Sequence, residues 1–233
     1  MRPPKLGCVP ESIPLFPLGT VLFPGMVLPL HIFEERYREL VRELVTQEDR
    51  VRELGVVAIR QGWEVGTDAV AALHEVGCAA ELRQVTRHPD GKFDIVAAGT
   101  RRFRLLEVDP VSRPYLVGTV EWLADAADPA GEATLLVPGV GALFLKYVAA
   151  VATARGGRVN RPELPEDPGV LSFLVASAAL LTMEDQQALL EQSSSRERLL
   201  AEARLLTRET TMLRTLRVVP APLSELPAPT GLN

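Results

Sequence analysis

Hydrophobic and polar positions along the 233-residue chain change their period several times, and those changes predict its elements. Between Ile13 and Tyr37 the sequence IPLFPLGTVLFPGMVLPLHIFEERY is apolar but is cut by Pro14, Pro17, Pro24 and Pro29 and by Gly19 and Gly25. Proline lacks a backbone donor and clashes with the preceding helical turn, so the run cannot be one helix. It predicts short extended pieces joined by turns at Leu18-Gly19-Thr20 and Phe23-Pro24-Gly25, where glycine accepts positive φ and proline fixes φ. Residues 26–33 predict a strand, and Pro29 inside it predicts an edge or bulge position. At Glu34 the period becomes helical. Tyr37, Leu40, Val41 and Leu44 then form one apolar stripe, predicting an amphipathic helix to Thr46.

Strand signals follow a charged connection at 47–52. GVVAI at 55–59 predicts a buried strand, and residues 61–72, with Trp63 and Gly66, predict a loop. Residues 73–86 predict a strand region with a bulge at Gly77. His88-Pro89-Asp90-Gly91 is a turn, and in residues 92–98 Phe93, Ile95 and Ala97 share one face while Asp94 and Val96 share the other. Together they predict an antiparallel hairpin. Gly99-Thr100 is read as a turn into residues 101–108, where Phe103 and Leu105 alternate with Arg102 and Arg104. Residues 115–123 predict one more strand. Several strands at short spacing predict a closed or nearly closed barrel.

ADAADPAG at 124–131 is a shift in composition and a domain boundary. Beyond it the period is helical. Val140, Leu143, Phe144, Tyr147, Val148 and Val151 fall on one stripe, with Pro138 and Gly139 marking a helix start or a kink. Asp167-Pro168 reads as a cap followed by proline at the first helical position, opening a helix that is apolar almost all round and therefore central. Residues 183–191 predict a short helix. Ser194 with Glu197 reads as a capping box. It opens a last helix to about Leu216, with Leu199, Ala203, Leu206, Thr210 and Leu213 inward.

Pro14-Leu15-Phe16-Pro17-Leu18, Val21-Leu22-Phe23-Pro24-Gly25, Pro29-Leu30 and Ile32-Phe33-Glu34-Glu35-Arg36-Tyr37 resemble the opening of the Lon protease amino-terminal, or substrate-binding, domain family. Met26 after the Pro-Gly turn and the two glutamates before Arg36 are minor departures. GTRRFRL at 99–105, and EDQQALLE at 184–191 with RERLL at 196–200, resemble later parts of the same domain. The resemblance covers roughly residues 11–216. It implies an α+β fold: an N-terminal PUA-like β pseudobarrel with one or two short helices, followed by a C-terminal helical bundle. The expected organisation is a flexible tail at 1–10, a β-rich subdomain at 11–124, a linker at 125–131, a helical subdomain at 132–216 and a Pro-rich, disordered tail at 217–233.

Composition narrows the function classes. Hydrophobic residues make up 47% and charged residues 24%, ordinary for a globular protein. A formal net charge of −5 leaves no electrostatic footprint for nucleic acid. The uncharged run at 168–183 is shorter than the roughly 20 residues of a membrane span. The start, MRPPKLGCVPES, lacks the continuous apolar stretch of a secretory signal. The expected location is therefore cytoplasmic, with Cys8 and Cys78 as two free thiols; a disulfide between them is the alternative.

Chemistry-bearing motifs are scarce. Lon proteases continue into an ATPase module and a Ser-Lys peptidase domain, and neither signature is found: there is no G-x-x-x-x-G-K-[ST] and no G-x-S-x-G. Ser193-Ser194-Ser195 is read as a helix cap. His31, His74 and His88 are far apart in sequence, so no catalytic residue, cofactor or metal site is assigned, and His31 is read as a hydrogen-bonded, half-buried strand residue. What remains is recognition without catalysis. Phe16, Leu18, Phe23, His31, Phe33 and Tyr37 are the candidate lining of a groove for an unfolded protein or peptide segment. The resemblance implies a role in selecting protein substrates, as an adaptor or regulator alongside a cytoplasmic ATP-dependent protease. The alternative is a PUA-like module binding a small ligand or RNA through Arg83, Arg87, Arg101, Arg102 and Arg104.

Overall fold

A computed structural model describes residues 10–46, 51–62, 70–128, 130–157 and 163–216. The expected N-terminal tail up to residue 9, Cys8, Trp63, Gly66 and the C-terminal tail at 217–233 lie outside the described residues. The chain is α+β, with seven strands, mostly antiparallel, and five helices among the described residues. It divides into two compact units, Met1–Asp125 with Met183–Ser193, and Ala126–Thr182 with Ser194–Asn233.

The first unit contains β1 (Glu11–Leu18), β2 (Val27–Ile32), α1 (Glu35–Thr46), β3 (Glu53–Gly62), β4 (Val70–Leu73), β5 (Val76–Arg87), β6 (Phe93–Asp109) and β7 (Val117–Leu123). Hydrogen bonding runs β1-β7-β6-β5-β3-β4, β2 adds to β6, and β1 also pairs with β3 in parallel, so the path returns to its first strand. β1 serves two partners in succession: residues 11–14 pair with β7 and residues 15–18 with β3. Proline at 14 and 17 withholds two donors from this strand. The main-chain N–H of Leu15 compensates by donating to the Leu116 carbonyl at 2.8 Å. α1 packs Tyr37, Leu40, Val41 and Leu44 inward, as their spacing dictates.

Two glycines act differently from expectation. Gly77 is not a bulge; the register shifts of the β5–β6 ladder fall at Cys78/Ala80 and Leu82/Gln84. Instead a β-carbon at 77 would lie 2.4 Å from Phe103 Cζ and 2.5 Å from the Val56 carbonyl oxygen, so the aromatic ring takes that space. Nor does Gly99 turn the chain, because β6 runs unbroken for 17 residues. A β-carbon there would meet the Phe23 carbonyl oxygen at 2.2 Å. The Phe23-Pro24-Gly25 turn is held onto the strand by Gly25 N–H donating to the Gly99 carbonyl and Gly99 N–H donating to the Met26 carbonyl, both at 2.8 Å.

The expected helical block 132–216 is also interrupted. α4 (Met183–Glu191) belongs to the first unit, against β5. Its Gln187 amide donates to the Val76 carbonyl at 3.0 Å. Arg102, 3% exposed, donates to the Leu190 and Gln192 carbonyls at 2.7 Å each and pairs with Asp125. A buried guanidinium thus satisfies the open carbonyl end of a helix.

The second unit holds α2 (Glu132–Ala154), α3 (Pro168–Ala178) and α5 (Ser195–Leu216). α2 begins six residues before Pro138, because Asp128 caps it by accepting from the Glu132 and Ala133 N–H groups at 3.1 and 2.7 Å. Asp167 caps α3 by accepting from Val170 N–H at 2.8 Å, with Pro168 at its first turn. Ser194 Oγ accepts from Glu197 N–H at 3.2 Å at the start of α5. Val140, Phe144, Tyr147, Leu171, Val175, Leu199, Leu206 and Leu213 form the core. By length and composition α2 is a helix that could cross a membrane: 23 residues, mean hydropathy 1.9, with 22% of its apolar window buried. Lys146 lies within it and divides its uncharged stretch.

Two tests follow. Removing the Arg102 guanidinium strands Asp125 and two helix-end carbonyls, so Arg102→Ala is expected to lower the unfolding free energy by about 3–5 kcal/mol in urea melts. In α5, Glu202 is buried and neither carboxylate oxygen has a hydrogen-bond partner among the described residues. Burial pushes its carboxyl up to about 9, against the opposing pull of Arg198. A folded value raised above the ordinary 4.5 means full stabilisation below that pH and progressive loss as pH rises towards 9. Glu202→Gln should therefore gain stability over the parent chain as pH goes from about 5 to about 8; a gap independent of pH in paired denaturation curves would refute this.

Candidate functional site

Where β1 ends, β2 ends and α1 begins, three apolar segments meet and leave a hollow of about 130 Å³. Phe16 and Leu18 come from β1, Leu30 to Ile32 from β2, Phe33 and Glu34 from the connection, and Tyr37 from the first turn of α1. The Phe16 and Tyr37 rings lie 4.2 Å apart between centroids, tilted by 33°. Arg36 sits over the Tyr37 ring at 4.6 Å and pairs with Glu34 at 3.0 Å. Phe33 remains 49% exposed, while its neighbour His31 lies roughly parallel to it at 6.3 Å.

Five of the six expected lining residues, Phe16, Leu18, His31, Phe33 and Tyr37, border this hollow. Phe23 does not: it is 0% exposed, sealed beneath the turn that rests on Gly99. His31 is not half-buried either. It stands exposed on β2, with Nδ1 2.6 Å from Asp94 Oδ1. The hollow resembles in size a 150 Å³ apolar cavity able to hold benzene, and is smaller than the roughly 300–1,000 Å³ of drug-sized pockets. It fits one apolar side chain.

A larger cleft of about 590 Å³ lies between β1, β7 and α1. Four of its charged groups are engaged in pairs. Arg113 pairs with Glu43 at 3.2 Å, and Tyr115 donates to Glu43 at 2.6 Å. Burial, and then the Glu43 carboxylate, push the Tyr115 phenol up to about 12, so it remains a donor. Arg101 pairs with Glu53 at 3.2 Å and lies 3.4 Å from the Trp122 ring centroid.

Four of the five arginines that an RNA-binding face would need are buried or set against carboxylates. Arg102 is buried, Arg83 pairs with Glu81 at 3.0 Å, and Arg104 faces Glu121 at 3.9 Å. Cys78 is sealed in the core, and burial pushes its thiol up to about 12. Two histidines that are far apart in sequence come together in the fold. His31 and His88 meet on one carboxylate, with His88 Nε2 2.6 Å from Asp94 Oδ2. Strand pairing, invisible to sequence spacing, causes the meeting.

The chain is similar to known proteins over most of its length. Lon protease 1 of Herpetosiphon aurantiacus is 26% identical over 88% of this chain, and the Lon protease of Roseiflexus castenholzii is 31% identical over 88%. In both cases the aligned part is 25% of the relative, so the chain spans about a quarter of these proteins. In fold it is similar to the N-terminal domain of Mycobacterium avium complex Lon protease, with a TM-score of 0.59, 22% identity and coverage of 86% of this chain and 98% of that one. A Lon N-terminal domain protein from Xanthomonas campestris gives a TM-score of 0.55 at 24% identity, covering 84% and 98%. The pattern of the ATP-dependent protease La (LON) substrate-binding domain matches residues 12–208, and the chain belongs to that family.

Proposed function

We propose that the chain is a non-catalytic recognition module that binds unfolded or extended protein segments, seating one apolar side chain in the hollow beside Phe33. The observation that carries this reading is an open, single-side-chain hollow on a substrate-binding domain, with a large aromatic left half exposed at its rim. A phenylalanine kept in contact with water costs the fold apolar burial, and a partner's side chain would recover it. β2 offers a second grip. Among the described residues it pairs only with β6, and Val27, at 60% exposure, stands outward on it. An extended segment could lie along it, with Pro29 limiting the register.

In finer detail, we read the first unit as a PUA-like pseudobarrel and the second as a helical bundle. The module would act in the cytoplasm as an adaptor or regulator for an ATP-dependent protease of the Lon type. Binding of a small ligand or RNA is the weaker reading, because of its five arginines Arg102 is buried and Arg83, Arg101 and Arg104 face carboxylates.

Fluorescence anisotropy with reduced, carboxymethylated α-lactalbumin tests this. Saturable binding is expected. Phe33→Asp should weaken it by about 2 kcal/mol, roughly thirtyfold, with little change in folding stability. No cleavage of the labelled protein is expected, with or without ATP. Absence of binding, or equal binding by Phe33→Asp, would count against the hollow as the anchor.

A further inference from the structure

Two imidazoles and one carboxylate converge at the end of the β5–β6 hairpin. His31 Nδ1 lies 2.6 Å from Asp94 Oδ1, and His88 Nε2 lies 2.6 Å from Asp94 Oδ2. The two imidazole centroids are 6.1 Å apart, and the three ligand atoms all lie within 4.8 Å of one another. The backbone holds this arrangement from three sides. His31 is the cross-strand partner of Asp94 in the β2–β6 ladder, and Thr86 is its partner in the β5–β6 ladder. Side chains of directly opposed residues share a face. His88, two residues beyond Thr86, comes to the same face by the alternation of a strand. The turn that carries it is closed by His88 N–H donating to the Lys92 carbonyl at 2.9 Å and by Gly91 N–H donating to the His88 carbonyl at 3.0 Å. Arg38 Nε, from α1, donates to the Gly91 carbonyl at 2.8 Å and ties the turn to the helix.

We infer that His31, His88 and Asp94 form a binding site for a divalent transition-metal ion of the zinc class. Two imidazole nitrogens and a carboxylate oxygen suit zinc, copper or nickel. They do not suit calcium, which takes six to eight oxygens, or magnesium, which demands an octahedron of oxygens and water. Tetrahedral zinc with ligands at about 2.1 Å sets donor atoms roughly 3.4 Å apart. Each short contact to Asp94 therefore opens by less than about 1 Å as the ion enters, within reach of side-chain rotation. The proton balance is simple. Each neutral imidazole moves its N–H to the other ring nitrogen and presents a lone pair to the ion. Three protein ligands leave a fourth position, and all three groups are partly or well exposed to solvent. The site borders the hollow through His31 alone, so it does not depend on what the hollow binds.

Titration calorimetry of Zn²⁺ into the full chain, free of any affinity tag, tests the assignment. One saturable site is expected. His31→Ala, His88→Ala and Asp94→Asn should each weaken it by more than about tenfold, since even outer-shell changes commonly reach that size. Asp94→Asn keeps a hydrogen-bonding oxygen while removing the anionic ligand, separating ligation from the hydrogen-bonded cluster. His74→Ala should leave affinity unchanged. In the unaltered chain, Zn²⁺ should shift the ring resonances of His31 and His88 and leave those of His74 in place, a measurement that requires no variant to fold. Absence of saturable binding, a site that survives any one of the three substitutions, or shifts confined to other residues would overturn the assignment.

Discussion

A backbone-on-backbone contact at Gly99 sets where everything of functional interest lies. The Phe23 carbonyl oxygen occupies the volume in which any other residue at 99 would place its β-carbon. Two hydrogen bonds then clamp the Phe23-Pro24-Gly25 turn to the middle of β6. From this anchor β2 can only run back along β6, from Val27 opposite Ala98 to Ile32 opposite Phe93. A slip of one residue would turn Leu28 and Ile32 out of the core and Val27 and His31 into it. Gly99 therefore specifies a register as well as relieving a clash. That register places His31 on Asp94 and Phe33 at the mouth of the hollow.

The parts of this fold legible in sequence are those governed by local rules. The α1 stripe, the Asp167 cap with Pro168, the Ser194 cap and the hairpin turn with Gly91 at φ 81° are all short-range patterns. The Lon-family motifs supplied the long-range expectation. What could not be read came from distant chain segments. Gly77 and Gly99 look like a bulge and a turn, because glycine in a strand has those two common uses; the third, close approach by another segment, depends on where Phe103 and Phe23 arrive. Arg102 alternates as a surface residue should, yet the α4 carbonyls nearly ninety positions later bury it.

Among the six candidate residues, Phe23 is the one that does not border the hollow. Aromatic residues in a proline-rich run look alike in sequence, but only Phe23 lies in the turn that β6 covers. Buried charge on α5 was missed for a related reason. The stripe of Leu199, Leu206 and Leu213 marks the apolar face, yet Arg198 and Glu202 are also buried. Apolar periodicity cannot reveal ionisable groups on the flank of an apolar stripe, where neighbouring helices close over them. Arg198 is held there by Ser172 Oγ at 2.8 Å and by the Phe173 ring at 3.9 Å.

The hollow itself follows from chain length. Only Phe33 and Glu34 separate the end of β2 from the start of α1. Ile32 must point into the core to complete the β2 alternation, and Tyr37 must lie over Phe16 because it leads the buried stripe of α1. Two linking residues span at most about 7 Å, too little for the chain to bend Phe33 back beneath Tyr37 while both constraints hold. Phe33 is left at the rim and the space beside Phe16 and Leu18 unfilled. A longer connection would allow the ring to fold into that space and close it. The exposed aromatic and the hollow beside it are therefore one feature, produced by a tight strand-to-helix passage between two elements whose packing is already decided.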